Sequence, residues 1–254
     1  MQRFSSDGVE IAFVDEGEGD PILLIHGFGS NLGVNWRATG WIDVLKRDRR
    51  RVIAFDVRGH GESSKPHDGA AYRMTMLSQD AQNLLDHLGL PEVDVMGYSM
   101  GARIGAWLAL EHASSARSLI LGGMGLALVE GIGGEEEIAQ ALEAPDIAVV
   151  KNQTGWAYRK FAEATGSDLR ALAACIRVQR ENVPAARLAA LEMPVLVAVG
   201  EHDAIAGSPE GLARLIPGAE LCVIARRDHM LATGDRQFKE CTLSFLRHLR
   251  TGVE

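Results

Sequence analysis

The chain has 254 residues, of which 46% are hydrophobic and 24% are charged, and its formal net charge at pH 7 is -8. This length and composition are ordinary for one large globular domain or two small ones, with enough residues to bury a substantial core. The acidic balance argues against nucleic acid or an anionic membrane as a partner, because both recruit lysine and arginine. The basic cluster at residues 46–51 is interrupted by Asp48, and we interpret it as a solvated helix end.

The three cysteines, Cys175, Cys222 and Cys241, are an odd set without metal-ligand spacing. They lie in apolar or helical patterns, which favours a reducing compartment. The first residues lack the apolar segment of a signal peptide, and no apolar run is long enough to span a membrane. These features predict a soluble cytoplasmic protein, whereas its oligomeric state is unknown.

Apolar runs alternate with helical patterns along most of the chain. Weak alternation at residues 9–14 predicts an early antiparallel strand. Buried strands are predicted at residues 21–27, 51–57, from 93, 118–123, 194–200 and 221–225. Helices are predicted at residues 75–88, 102–112 and 236–249. Nearly continuous apolar strands between helices indicate a doubly wound α/β fold with a parallel sheet covered on both faces.

Residues 125–191 interrupt this alternation, because they contain no convincing strand. Helical segments are predicted from residue 135 and near residues 156–164, 168–180 and 184–191. A helical insertion at the carboxyl edge of a parallel sheet is typical of a lid over a substrate pocket. The sequence therefore predicts a core domain, residues 1–124 and 192–254, with a cap at residues 125–191.

The apolar run from Val93 ends in Gly-Tyr-Ser-Met-Gly at residues 97–101, and a helical pattern follows directly. This order is typical of a serine on a sharp turn between a strand and a helix. Composition alone supplies about 0.15 chance matches to Gly-x-Ser-x-Gly in such a chain, so the pattern needs support from other residues. With that support, Ser99 is the candidate nucleophile.

A serine hydroxyl attacks efficiently only when a base takes its proton and an acid orients that base. On a strand-turn-helix elbow the expected chain order is serine, acid, histidine. His229 follows the last predicted strand and is the candidate base. Asp203, after the predicted strand at residues 194–200, is the favoured acid. Glu201 is its main rival, and Asp228 is a weaker alternative.

The oxyanion that forms during attack needs two preorganised N–H donors. The residue after the nucleophile normally supplies one, which assigns it to the amide of Met100. His-Gly-Phe-Gly at residues 26–29 follows an early strand, and its glycines allow a close approach of the backbone. We assign the second donor to the amide of Phe28, although a purely structural glycine turn is the alternative.

Four aromatic residues, Trp36, Tyr98, Trp156 and Tyr158, are candidate substrate contacts. Aromatic side chains at helical spacing more often serve packing, so this alternative stays open.

Five motifs together carry a family resemblance. They are residues 26–29, Asp-Val-Arg-Gly-His-Gly-Glu-Ser at 56–63, residues 97–101, Gly-Glu-His-Asp at 200–203 and Asp-His at 228–229. In this order they resemble the α/β-hydrolase superfamily, especially bacterial carboxylesterases and enol-lactone-hydrolase-like members. The resemblance implies an eight-stranded, mostly parallel sheet with a small helical cap after the sixth strand. It also implies a Ser99, His229 and Asp203 triad and a structural role for residues 56–63.

We therefore expect a serine hydrolase that cleaves carboxylic esters through an acyl-enzyme, without a metal or organic cofactor. The expected partner is a small-molecule or oligomeric ester substrate. Two alternatives remain at this point: a C–C bond or lactone hydrolase on the same triad, and a hydrolase-fold receptor for a small molecule.

Overall fold

A computed structural model describes residues 1–178 and 182–251. Its strands are β1 (Gln2–Ser6), β2 (Val9–Glu16), β3 (Asp20–Ile25), β4 (Arg50–Phe55), β5 (Val93–Tyr98), β6 (Ala116–Gly122), β7 (Val195–Gly200) and β8 (Glu220–Ile224). They form one sheet in the order β1-β2-β4-β3-β5-β6-β7-β8. The pairs β1–β2 and β2–β4 are antiparallel, whereas every pair from β4 to β8 is parallel.

The sheet is covered on both faces. The α-helices are α1 (Trp41–Arg47), α2 (Met74–His87), α3 (Met100–Glu111), α4 (Ala127–Glu130), α5 (Glu135–Glu143), α6 (Gln153–Ala164), α7 (Leu169–Arg177), α8 (Ala185–Leu188), α9 (Pro209–Leu215) and α10 (Arg236–Thr251). Successive side chains of β3 point into opposite cores, with Leu23 on the face of α2 and α3 and Leu24 on the face of α1 and α10. Burial on both faces is the reason that the central strands are mostly apolar.

The predicted fold class is confirmed: the sheet has eight strands, is mostly parallel, and is interrupted by helices after its sixth strand. Strand β1 was missed by the sequence analysis, because it is short and only two of its five residues are buried. The helix predicted at residues 168–180 is α7, which ends at Arg177, and the end of that prediction lies outside the described residues. The boundaries of the cap at residues 125 and 191 stay a prediction.

The cysteine prediction needs a correction. Cys222 on β8 and Cys241 on α10 form a disulfide, so the expectation of reduced thiols is wrong for this pair. The two residues are 19 positions apart, and only the packing of α10 against the face of the sheet near its edge strand β8 brings them together. Among residues 1–178 and 182–251, no helix combines the length and the apolar character needed to cross a membrane.

Candidate active site

Ser99 lies on a tight turn between β5 and α3. Its backbone has φ 54° and ψ -116°, a conformation that is strained for a residue with a side chain. Side chains at Gly97 and Gly101 would overlap the backbone of Gly101 and Ile25, respectively, so the turn requires both glycines. The Ser99 amide donates to the Gly122 carbonyl at 2.8 Å, which fixes the turn against β6.

His229 connects the serine to a buried carboxylate. Its Nε2 is 3.0 Å from Ser99 Oγ, and its Nδ1 is 2.7 Å from Asp203 Oδ2. The Asp203 side chain is fully buried, and its other oxygen accepts hydrogen bonds from the amides of Ile205 and Ala206, both at 2.9 Å. Because Asp203 is an acceptor, Nδ1–H donates to it and Nε2 is left to accept the proton of Ser99.

The two rival acids make other contacts. Glu201 Oε2 accepts a hydrogen bond from the Arg226 amide at 2.7 Å. Asp228 Oδ1 accepts from the amides of Met230 and Leu231 at 3.0 and 2.8 Å, and so caps the turn that follows His229. Among the three candidate acids, Asp203 is therefore the one hydrogen-bonded to the imidazole.

The acid and histidine loops meet because β7 and β8 are neighbours in the sheet. The Glu201 amide donates to the Ile224 carbonyl, and the His202 amide donates to the Arg227 carbonyl, both at 2.9 Å. A side chain at Gly200 would overlap the Arg227 carbonyl, so glycine at the end of β7 permits this approach. The geometry of the imidazole thus depends on backbone pairing between the two loops.

The loop at residues 26–29 runs beside the nucleophile, since β3 and β5 are adjacent. A Cβ atom at Gly27 would lie 3.5 Å from Ser99 Cβ, which shows how closely this backbone approaches the elbow. Met100 is the first residue of α3, where an amide has no acceptor in its own helix. The amides of Phe28 and Met100 therefore belong to two segments that both lie close to Ser99.

His26 organises this loop, a role that the sequence analysis did not assign. The imidazole is fully buried, its Nε2 accepts from the Val57 amide at 3.0 Å, and its Nδ1 donates to the Gly27 carbonyl at 2.8 Å. Burial lowers the pKa of His26 to about 4, so the ring is neutral at pH 7. A histidine directly before glycine at the end of an apolar strand was the available sequence signal.

Asp56, in the segment at residues 56–63, has a structural role. Its carboxylate oxygens accept hydrogen bonds from the amides of Leu32 and Glu62, both at 2.7 Å. Burial raises the pKa of Asp56, while these two hydrogen bonds act in the opposite direction. Within the described part of the chain, no cluster of three or more histidine, cysteine, aspartate or glutamate side chains is arranged to hold a metal ion.

Comparison with known proteins identifies the family. The model of the α/β hydrolase fold matches residues 20–162, more than half of the chain. The chain belongs to the α/β-hydrolase fold family. Hydrolase is the class of enzyme that this match and the similar proteins support.

Three similar proteins illustrate the range within this hydrolase family. The dihydrolipoyllysine-residue acetyltransferase component of an acetoin cleaving system from Pseudomonas putida is 31% identical over 90% of this chain, which spans only 64% of that protein. The 3-oxoadipate enol-lactonase 2 of Acinetobacter baylyi is 26% identical, with 82% of this chain and 81% of the lactonase covered. The structure of a thermophilic esterase from Thermogutta terrifontis has a TM-score of 0.77 and 26% identity, and the match covers 98% of this chain and 99% of the esterase.

Two of the aromatic residues predicted to contact substrate lie in the core instead. Trp36 is fully buried against Trp41, with ring centroids 6.3 Å apart. Tyr98 is 3% exposed, and its hydroxyl donates to the His229 carbonyl at 2.6 Å. The prediction is therefore wrong for Trp36 and Tyr98, because both side chains belong to the core on the face of α1 and α10.

The other two aromatic residues lie on α6. Trp156 is 40% exposed, and the ammonium group of Lys160 lies 4.7 Å from the centroid of its ring. The Tyr158 ring lies 5.9 Å from that of Phe28. Tyr158 on α6 is therefore placed beside the loop at residues 26–29.

Proposed function

We propose that this chain is a carboxylic-ester hydrolase that uses Ser99 as its nucleophile. The observation that carries the proposal is the continuous hydrogen-bonded path from Ser99 through His229 to buried Asp203. A nucleophile, a base and an orienting acid in this order are the parts that acyl transfer requires.

In the proposed reaction, Ser99 Oγ attacks the ester carbonyl while His229 Nε2 takes the hydroxyl proton. The amides of Phe28 and Met100 stabilise the oxyanion, helped by the dipole of α3 at its N-terminus. The oxyanion then collapses, and His229 donates its proton to the leaving alcohol. Water, activated by His229, attacks the acyl-enzyme, releases the carboxylic acid and restores Ser99.

The proposed substrates include cyclic as well as linear esters. A lactone is an ester whose alcohol and acid belong to one molecule, so the same attack opens its ring. The similarity to an enol-lactonase over most of both chains favours testing this class alongside linear esters. We further propose that residues 125–191 act as a cap that selects among small-molecule or oligomeric esters, with Tyr158 on the substrate side of α6.

Replacement of the nucleophile tests the proposed reaction. Ser99→Ala is expected to lower kcat for a 4-nitrophenyl ester by at least about 10³-fold, because it removes the attacking atom. Mass spectrometry of the rapidly quenched wild-type protein should show the acyl group on the peptide that contains Ser99. Ser5→Ala, on an exposed position of β1, is the control. Activity in Ser99→Ala close to that of Ser5→Ala would disprove the proposal.

The assignment of the acid has its own test. Asp203→Asn is expected to lower kcat by about 10³- to 10⁴-fold, since an amide does not hold the imidazole in the tautomer that accepts the serine proton. Glu201→Gln and Asp228→Asn are the matched controls, because neither carboxylate touches His229. The assignment fails if either control loses as much activity as Asp203→Asn.

A further inference from the structure

The cap segment contacts the backbone of the loop at residues 26–29 through two hydroxyl groups. Thr165 Oγ1 is 2.8 Å from the Gly29 carbonyl oxygen, and Ser167 Oγ is 3.3 Å from it. The two hydroxyls are also 2.9 Å from each other. Both residues lie in the turn between α6 and α7. Thr165 Oγ1 also lies 3.0 Å from the Ala162 carbonyl and 3.2 Å from the Phe161 carbonyl, and its one proton is donated to one acceptor at a time; the contact with Gly29 is the shortest. The carbonyl of the residue that follows the proposed oxyanion donor therefore accepts from the cap.

Apolar packing reinforces this contact. Gly29 has φ 69°, in the left-handed region, and a Cβ atom there would lie 3.3 Å from Phe161 on α6 and 3.9 Å from Leu172 on α7. The absence of a side chain at Gly29 lets both helices approach the loop. The Phe28 ring lies between the core and the cap, 5.7 Å from the His60 ring and 5.9 Å from the Tyr158 ring.

The other end of the loop is held by the core. The Gly27 amide donates to Asn35 Oδ1 at 3.1 Å, and the Gly27 carbonyl accepts from His26 Nδ1 at 2.8 Å. The backbone on either side of Phe28 is therefore fixed by different parts of the molecule, the core at Gly27 and the cap at Gly29. The Phe28 N–H shares a peptide plane with the Gly27 carbonyl, and the Gly29 carbonyl lies two peptide units further along the chain. The attachment to the cap therefore acts on this N–H through the φ and ψ angles of Phe28 and Gly29.

We propose that Thr165 and Ser167 are positioning residues that align the Phe28 amide for the oxyanion, so that the oxyanion site is complete only when the α6–α7 turn is seated on the core. This inference rests on the proposed ester hydrolysis. Neither hydroxyl touches the reacting atoms; both act through the Gly29 carbonyl. Displacement of the turn would leave the triad in place and misalign one of the two donors.

The test removes both hydroxyls and measures the two kinetic constants separately. The Thr165→Val/Ser167→Ala variant is expected to lower kcat for a 4-nitrophenyl ester about tenfold with KM changed less than twofold. This loss is smaller than the 10²- to 10³-fold typical of deleting an oxyanion donor, because the amide is displaced and not removed. Affinity for a trifluoromethyl ketone, which adds Ser99 Oγ–H across its carbonyl, should fall by the same factor as kcat/KM.

Conservative variants separate positioning from packing. Thr165→Ser keeps the hydroxyl and should have a kcat close to that of the wild type. Thr154→Val makes the threonine-to-valine change at an exposed position of α6 and should have no effect on kcat. Unchanged kcat and ketone affinity in a folded Thr165→Val/Ser167→Ala protein would overturn the inference, as would equal losses in Thr165→Ser and Thr165→Val.

Thr165 also ends α6, so its replacement by valine risks unfolding the cap. If circular dichroism shows such unfolding, the single variant Ser167→Ala tests the inference instead, because it leaves the end of α6 intact. A lower kcat at unchanged KM in Ser167→Ala then supports the inference, and an unchanged kcat overturns it. Failure of ester hydrolysis itself is recognised separately, by Ser99→Ala retaining activity.

Discussion

At the scale of single residues, Tyr98 and Ser99 hold His229 from two sides. Ser99 contacts the imidazole, and the Tyr98 hydroxyl donates to the His229 backbone carbonyl. Burial raises the pKa of the Tyr98 phenol, so its hydroxyl stays protonated and remains a donor at neutral pH. Consecutive residues, the last of β5 and the first of the turn, thus contact both the side chain and the backbone of the proposed base.

Tyr98→Phe tests this role. The variant keeps the ring that packs against Phe238 and removes only the hydroxyl. Loss of one hydrogen bond, about 0.5–1.5 kcal/mol, corresponds to a decrease in kcat of about two- to tenfold, with little change in KM. Tyr72→Phe is the matched control, since buried Tyr72 donates to the Pro66 carbonyl at the same distance of 2.6 Å. Equal effects on kcat in both variants would refute a role specific to His229.

At the scale of secondary-structure elements, the disulfide closes the segment that carries His229. Cys222 on β8 and Cys241 on α10 lie on either side of this segment, which also contains the turn capped by Asp228. The cross-link limits the separation of β8 and α10 in the unfolded chain as well as in the folded one. Its contribution should therefore be to stability and to the order of the His229 loop.

Cys222→Ala/Cys241→Ala is expected to lower the free energy of unfolding by about 3 kcal/mol, the value that chain entropy predicts for a loop of this size. Denaturant unfolding of the wild type with and without a thiol reductant measures the same quantity. The double variant should not respond to reductant, because its remaining cysteine, Cys175, is not part of the cross-link. An identical response of both proteins to reductant would contradict the assigned stabilisation.

The disulfide could not be predicted from β8 and α10 considered separately. Apolar and helical periodicities predict β8 and α10 separately, since each pattern repeats within a few residues. The distance between Cys222 and Cys241 depends instead on how α10 crosses the face of the sheet. No periodicity in either segment contains that information.

At the scale of the whole molecule, folding confines His26 in a site without solvent. The neutral ring bridges the end of β3 and the segment after β4, and burial lowers its pKa from the ordinary histidine value of 6.5 to about 4. The unfolded chain therefore binds one more proton than the folded chain between these two pH values. Because protons favour the unfolded chain there, stability is fully present above pH 6.5 and falls as the pH decreases towards 4.

A shift of this size corresponds to about 3 kcal/mol lost across that interval. Denaturant unfolding at a series of pH values should show that the free energy of unfolding depends less on pH in His26→Gln than in the wild type. The glutamine side chain does not titrate, and it keeps an acceptor for the Val57 amide. Carboxylates titrate in both proteins, so the difference between the curves isolates His26. Parallel curves for the wild type and His26→Gln would refute this assignment.

Local patterns of residues were sufficient to predict the class of fold and the position of the elbow. Both follow from short-range constraints. The periodicity of apolar residues distinguishes strands from helices. Gly97 and Gly101 are required where a side chain would overlap the neighbouring backbone. The order of Ser99, Asp203 and His229 along the chain was sufficient to nominate them as a group.

Which side chains meet could not be predicted from such patterns and follows from the folded arrangement. Asp203 and Glu201 follow the same strand, yet Asp203 reaches the imidazole and Glu201 binds the Arg226 amide. The burial of Trp36, the disulfide and the contact between Thr165 and Gly29 are of the same kind. Such contacts depend on the direction of loops and on the packing of helices, which local sequence patterns do not specify. Thr165 and Gly29, for example, are 136 positions apart in the chain.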